Sequence, residues 1–258
     1  MSKSDVSVNY SQTGSSLIEK IYSDDYLSIG GKNSTDNLAD AANVSKDTKV
    51  LDVGSGLGGP ALRLAERFGC KVIGLDIVDS NVATANERAK ARSLDHLVAF
   101  HLGDAMAMPF EAGQFDVILG QDAWCHVPDK DKLIAECARV IVAGGTVAFT
   151  DWLQVGEMAA DEKTQILSAM ASPNLATLEG YGAMLARHGF TVSVQEDISA
   201  TFVAQYDAII ARLKGMESEI SDTISPKVYG IILAKNNCIR QAFTDGKMGG
   251  GKVIARRN

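Results

Sequence analysis

VLDVGSGLGGPALRLAERFG, residues 50–69, decides the fold. Val50, Leu51 and Val53 make an apolar strand, and Gly54, Gly56 and Gly59 follow at the spacing G-x-G-x-x-G. From Gly59 the apolar residues recur at helical period. Strand, glycine-rich turn and helix in this order open an α/β sheet that binds a ligand on the turn. The alternation continues outward. KVLDV (49–53), KVIGL (71–75), HLVAFHL (96–102), FDVIL (115–119) and GTVAFTD (145–151) read as strands. GPALRLAERF (59–68), SNVATANERAKARS (80–93) and DKDKLIAECARVIV (129–142) read as helices between them. Near-continuous apolar strands alternating with helices predict a parallel sheet covered on both faces.

After Asp151 the rhythm changes. Residues 157–187 and 202–243 read as mostly helical, with breaks at Ser172-Pro173 and Ser225-Pro226. FTVSVQEDI (190–198) and GGGKVIARR (249–257) supply two more strands. The expectation is an α/β, Rossmann-like, seven-stranded, mostly parallel sheet with helices on both faces and a helical lid inserted before the last strand. It forms a single domain over residues 1–258: an N-terminal cap segment (1–48), a ligand-binding core (49–151), then the substrate lid and the end of the sheet (152–258).

The glycine pattern by itself suggests a dinucleotide, but Asp52 lies in the strand, just before Gly54. A carboxylate there repels a pyrophosphate and attracts an ammonium group. S-adenosylmethionine (SAM) carries an ammonium, a sulfonium and an adenosine and no phosphate, so the acid favours SAM over a dinucleotide. Asp76, at the end of the second strand, is placed to accept hydrogen bonds from ribose hydroxyls. Asp104, after the third strand, is placed to reach an adenine amino group. Three acids at the ends of three successive strands carry the reading further than any one of them, since each alone fits a turn or a helix cap.

Composition narrows the class. The chain has 258 residues, 46% of them apolar, and a net charge of −7. There is no long basic run before the terminal ARRN, which argues against a nucleic-acid partner. The polar N-terminus has no signal-peptide core, and no stretch approaches the roughly 18 apolar residues that a membrane span needs. Cys70, Cys125, Cys137 and Cys238 are scattered without metal spacing, which reads as reduced thiols in a cytoplasmic protein and no metal site.

VLDVGSGLGG, GLDI, GDAMAMPFEAGQFDVILGQDAWCHV and GGTVAFTDW together resemble the class I SAM-dependent methyltransferases. More closely, the chain is similar to the glycine/sarcosine/dimethylglycine N-methyltransferases of betaine synthesis and, next, to the phosphoethanolamine N-methyltransferases. The resemblance extends upstream to YSDDYLSIGG (22–31), a segment that in these relatives closes over SAM, and downstream to residues 196–220 and the terminal GGGKVIAR. It implies SAM as methyl donor, with S-adenosyl-L-homocysteine as product. The implied donor contacts are Tyr26, Leu27 and Ser28, then Asp52, Gly54, Ser55 and Gly56, then Asp76 with Ile77, Asp104 with Ala105, and Gln121. Asp122 also matches a position near SAM.

His126, just after the fourth strand, matches a family histidine at the catalytic centre. Tyr10 matches an N-terminal tyrosine that pairs with that histidine in the phosphoethanolamine enzymes. A histidine near neutrality suits removal of an amine proton. His96, His101 and His188 read as structural. Trp124 and Trp152 fall past strand ends, where aromatic faces stabilise a nitrogen becoming quaternary. Tyr181 and Tyr206 are further substrate-side candidates. TQILSAMASPNLATLEGY (164–181) lacks the arginine that holds phosphate in the phosphoethanolamine enzymes. Arg240 matches an arginine of the dimethylglycine enzymes and is the candidate for a substrate carboxylate. KMGGGKV (247–253) lacks a tryptophan found in relatives before the final strand. The expected activity is N-methylation of a small amine, sarcosine or dimethylglycine first, by a monomer or homodimer. The alternatives are a phosphoethanolamine-type enzyme, methylation at oxygen or carbon, and a SAM-binding protein without catalysis.

Overall fold

The computed structural model describes residues 10–258. Two helices, α1 (Gln12–Ile21) and α2 (Gly31–Ala41), precede the sheet. The alternating core follows as β1 (Lys49–Val53), α3 (Gly59–Phe68), β2 (Lys71–Asp76), α4 (Asp79–Ala91), β3 (Val98–Leu102) and β4 (Phe115–Gln121). The short turn Trp124–His126 leads into α5 (Lys130–Val140) and β5 (Ile141–Gln154). α6 (Ala160–Met170) and α7 (Leu178–Arg187) separate β5 from β6 (Phe190–Asp197). α8 (Ser199–Gly215), α9 (Glu217–Thr223) and α10 (Pro226–Thr244) separate β6 from β7 (Met248–Arg257).

The seven strands lie in the order β3-β2-β1-β4-β5-β7-β6. β1 to β5 are parallel, and β7 runs antiparallel between β5 and β6. This is the expected mostly parallel, doubly covered sheet. α5 ends earlier than its periodicity suggested, because Ile141 already pairs with Phe115 in the sheet. The helical mass after β5 is divided between two connections, one on each side of β6 in sequence.

Strand alternation separates two cores. Val50, Val72 and Val98 pack under α2, α3 and α4 with Leu38, Leu62 and Ala85. Leu51, Ile118, Val147 and Phe149 pack under α5 and α7 with Leu133, Tyr181 and Leu185. The order reverses between β1 and β4, so the turns after β1, β2, β3 and β4 open a crevice at the strands' carboxyl ends. Gly54 shapes its floor. Its φ is +84°, and a Cβ there would stand 2.4 Å from the Ala123 Cβ, so only glycine fits. Among the described residues no helix is long and apolar enough to cross a membrane.

Candidate active site

The crevice encloses about 1150 Å³ of space, its open mouth included, and is lined by residues of all four turns. The amides of Gly54 and Ser55 donate to the Leu75 carbonyl at 2.8 and 3.1 Å, fixing the glycine turn to the end of β2. Asp76 accepts from the Gly56 amide through Oδ2 at 2.8 Å and from the Val78 amide through Oδ1 at 2.9 Å. The Asn81 side chain and the Ile77 amide add to these hydrogen bonds. Burial raises the Asp76 pKa against these amides, which lower it. Asp104 Oδ1 accepts from the Met106 amide at 2.9 Å. Ile77 and Ala105 stand beside the two acids as apolar walls.

Asp52 departs from its expected role. It shares strand parity with Val50, so its side chain lies on the face covered by α2 and α3, beneath the glycine turn, and it is not part of the crevice wall. Among the described residues no side chain partners either carboxylate oxygen, and the Ala61 amide at the start of α3 favours the charged form. Burial, reinforced by the Asp76 charge, pushes its pKa up to about 7. Behind the turn and only partly ionised at pH 7, Asp52 is not a direct contact for a ligand ammonium. Gly54, Ser55 and Gly56 do line the crevice.

The segment expected to close over the ligand is fastened from below. Gln121, at the end of β4, donates through Nε2 to Ser28 Oγ at 2.7 Å and to the Gly31 carbonyl at 2.9 Å. Its Oε1 accepts from Thr35 at 2.7 Å. Asp122, at φ +55°, accepts from Thr150 Oγ1 at 2.7 Å and from the Gly30 amide at 3.4 Å, and burial raises its pKa to about 7. Leu27 and Ser28 reach the crevice. Tyr26 does not: it is buried against the start of α3, its hydroxyl 3.3 Å from that of Thr35.

Tyr10 and His126 come together as expected. Tyr10 Oη lies 3.0 Å from His126 Nε2, and both residues line the crevice. His126 Nδ1 lies 3.0 Å from the Ala171 carbonyl. A carbonyl only accepts, so Nδ1 carries the proton, Nε2 is the acceptor, and the Tyr10 hydroxyl donates to it. Burial lowers the His126 pKa to about 4, so the ring is neutral at pH 7. Burial raises the Tyr10 pKa well above its ordinary value. Ser15 ties this segment down: its hydroxyl lies 3.0 Å from the Tyr10 carbonyl and 2.8 Å from Asn81 Oδ1 on α4.

The sequence reading overlooked Asn81, which meets Ser15 only through the fold, and Asp25, a crevice residue held by Arg88 and Arg92 at 3.0 and 2.5 Å. No local motif marks either. It also overlooked Tyr22, whose pKa burial pushes above the ordinary tyrosine range beside the Tyr206 hydroxyl.

Four of the substrate-side candidates are packed elsewhere, and Trp124 only borders the crevice. Trp124 is fully buried, its indole stacked on Phe149 at 4.2 Å with Nε1 donating to the Val53 carbonyl at 3.2 Å. Its face is spent on the core. Tyr181 is fully buried and donates to Asp151 Oδ2 at 2.5 Å, outside the crevice wall. Trp152 and Tyr206 join Phe202 and Phe243 in a core under α8 and α10 and also lie behind the wall. Arg240 is on α10 and makes a two-pronged pair with Asp207 of α8, at 2.6 and 3.2 Å. A guanidinium already paired with a surface carboxylate, away from the crevice, is not the substrate anchor. Arg240→Ala is therefore expected to change stability by no more than about 1 kcal/mol. It should leave the choice of methyl acceptor unaltered, which competition between two amines in one reaction measures.

Among the described residues no group of three or more histidines, cysteines or acids is placed to hold a metal ion. Residues 51–149 match the family model of a methyltransferase domain. Over 250 residues the chain is 30% identical to phosphoethanolamine N-methyltransferase 1 of Zea mays, covering 97% of this chain and 49% of that protein. It is 26% identical over 230 residues to the glycine/sarcosine/dimethylglycine N-methyltransferase of Actinopolyspora halophila, covering 89% of this chain and 41% of that one. The solved structure of phosphoethanolamine N-methyltransferase 2 of Haemonchus contortus with S-adenosyl-L-methionine superposes at a TM-score of 0.90 and 23% identity, covering 100% of this chain and 60% of that one. The chain spans about half the length of these curated relatives.

Proposed function

From the premise that this chain carries a methyltransferase domain, we propose that it transfers the methyl group of SAM to the nitrogen of a small amine and releases S-adenosylhomocysteine. The carrying observation is the Tyr10–His126 pair, set in the wall of a crevice that also presents Asp76 and Asp104. The donor set suits SAM: acids for the ribose hydroxyls and the adenine amino group, close backbone at the glycine turn, and apolar walls at Ile77 and Ala105. SAM supplies a methyl group already activated on sulfur.

The chain's own residues align the acceptor and handle its proton. The amine lone pair forms the N–C bond as the C–S bond breaks. Where the acceptor is a primary or secondary amine, the proton that the methylated nitrogen sheds passes to Tyr10 Oη while the Tyr10 proton passes to His126 Nε2; a neutral tertiary amine has no proton to shed and becomes quaternary directly. A histidine held at a pKa of about 4 is a weak base. The pair therefore selects the neutral amine and orients its lone pair more than it drives deprotonation. The relatives' names put N-methylated glycines and phosphoethanolamine first among acceptors to test. With Arg240 paired elsewhere, the case for the glycines rests on those names alone.

The test is incubation with SAM and sarcosine, dimethylglycine, dimethylethanolamine or phosphoethanolamine, followed by product masses. One of these amines is expected to gain a methyl group in step with S-adenosylhomocysteine release. If SAM binds and none of them is methylated, while an oxygen or carbon acceptor is, the N-methylation reading is wrong.

A further inference from the structure

The hydrogen bond that sets the His126 tautomer comes from a different connection of the fold, and a buried ammonium joins the two. His126 closes the turn after β4. Its partner, the Ala171 carbonyl, belongs to the turn after α6. Ala171 stands at φ +55° and ψ +38°, a left-handed conformation that costs a side-chain-bearing residue about 1–2 kcal/mol. The surroundings must hold it there.

Lys130, at the first position of α5, is only 5% exposed. On the histidine side its Nζ donates to the Val127 carbonyl at 3.1 Å, with the Cys125 carbonyl at 3.4 Å. On the alanine side it donates to the Asn174 carbonyl at 3.1 Å and to Asn174 Oδ1 at 2.6 Å. Asn174 Nδ2 donates back to the Pro128 carbonyl at 2.8 Å, and Ser172 Oγ donates to the Cys125 carbonyl at 2.7 Å. Asp151 accepts from the Cys125 amide at 3.0 Å and supplies the negative charge that favours the Lys130 ammonium against its burial. A buried ammonium costs several kcal/mol to desolvate, which simple space-filling by an apolar side chain avoids.

We propose that Lys130 and Asn174 are positioning residues that clamp the turn after β4 to the turn after α6, so that the Ala171 carbonyl holds His126 as its Nδ1–H tautomer with Nε2 aimed at Tyr10. The clamp acts through carbonyl groups and touches no substrate. Its effect on rate rests on the methyl-transfer reading above; its effect on the tautomer does not.

The test uses the full chain with 15N-labelled histidine. Two-bond 1H–15N spectra report the protonation state of each ring nitrogen, in the parent protein and in the Lys130→Met and Asn174→Ala variants. The parent is expected to show His126 as a single Nδ1–H tautomer. Both variants are expected to show an Nε2–H population and a kcat lowered by about 10²-fold, the scale of a misplaced catalytic group, with SAM affinity unchanged. Asn174→Ala leaves the lysine and the backbone carbonyls in place, so it carries the test should Lys130→Met not fold. An unchanged tautomer in a folded variant overturns the proposal. A shifted tautomer, in a protein that methylates no amine, upholds the clamp and overturns the reading of the reaction.

Discussion

His126→Ala is expected to lower kcat by about 10²-fold, the lower end of what a positioned base contributes, while SAM binds as before. The lower end follows from the environment. Burial holds the His126 pKa near 4, well below the value at which imidazole is an efficient base at neutral pH. Tyr10→Phe, which removes the hydroxyl between the amine and Nε2, should lose less, because alignment and the sulfonium are untouched. The pH dependence separates the groups. His126 stays neutral down to about pH 4–5, so a fall in rate between pH 9 and 6 does not come from this ring; protonation of the amine and of Asp122 and Asp52, both at about 7, falls in that window, and His126→Ala should keep the same acid limb. In the free protein the low folded pKa has a second effect. Between about 6.5 and 4 the unfolded chain binds a proton at this histidine that the folded chain refuses, so its contribution to stability is lost as pH falls through that window. Near-full kcat in His126→Ala at saturating SAM would remove the residue from the chemistry altogether.

Asp76→Ala is expected to weaken SAM binding by 1–3 kcal/mol, roughly fivefold to 150-fold, the scale of losing hydrogen bonds to a charged acceptor. The carboxylate also holds the Gly56 and Val78 amides, so its removal loosens the glycine turn as well as the ribose contact. Isothermal titration with SAM and with S-adenosylhomocysteine measures both losses, which should be alike because the two ligands share the ribose. Asp76→Asn keeps the volume but turns an NH2 group toward amide donors, so it should fare little better than alanine. Affinity unchanged in either variant would remove Asp76 from the ligand site.

Period and punctuation carried the fold into the sequence. The seven strands were visible as apolar runs, and the glycine turn named the end of the sheet where a ligand sits. The Tyr10–His126 pair was legible only through resemblance, since nothing local in NYSQTG points across the fold to residue 126. The misreadings have physical causes. Trp124 lies just beyond an apolar run, but its ring completes the core over Phe149 with that of Tyr181, and a tryptophan facing inward has the same sequence context as one facing a ligand. Arg240 finds Asp207 one helix away, a pairing of two long surface side chains that no spacing rule encodes. Asp52 was placed correctly along the strand and wrongly across it: alternation aims it beneath the turn. Lys130 reads as an ordinary helix-start lysine, because its partners at Val127 and Asn174 are backbone and amide groups with no signature of their own.

The position of β7 has a consequence for how the protein is made. β6 has no neighbour in the sheet except β7, and β7 also covers the outer edge of β5. A ribosome emits β5 and β6 well before β7, and all of α8, α9 and α10 pass in the interval. At roughly 5–20 residues per second the nascent chain spends several seconds with two strand edges open. The β5 edge belongs to a buried, apolar strand, the kind that recruits other chains. β6 is better suited to waiting: Thr191, Ser193, Gln195, Glu196 and Asp197 stay exposed even in the finished sheet. A ribosome stalled after α10 would therefore display an adhesive β5 edge, and aggregation during synthesis should be most acute for truncations that end between residues 245 and 257.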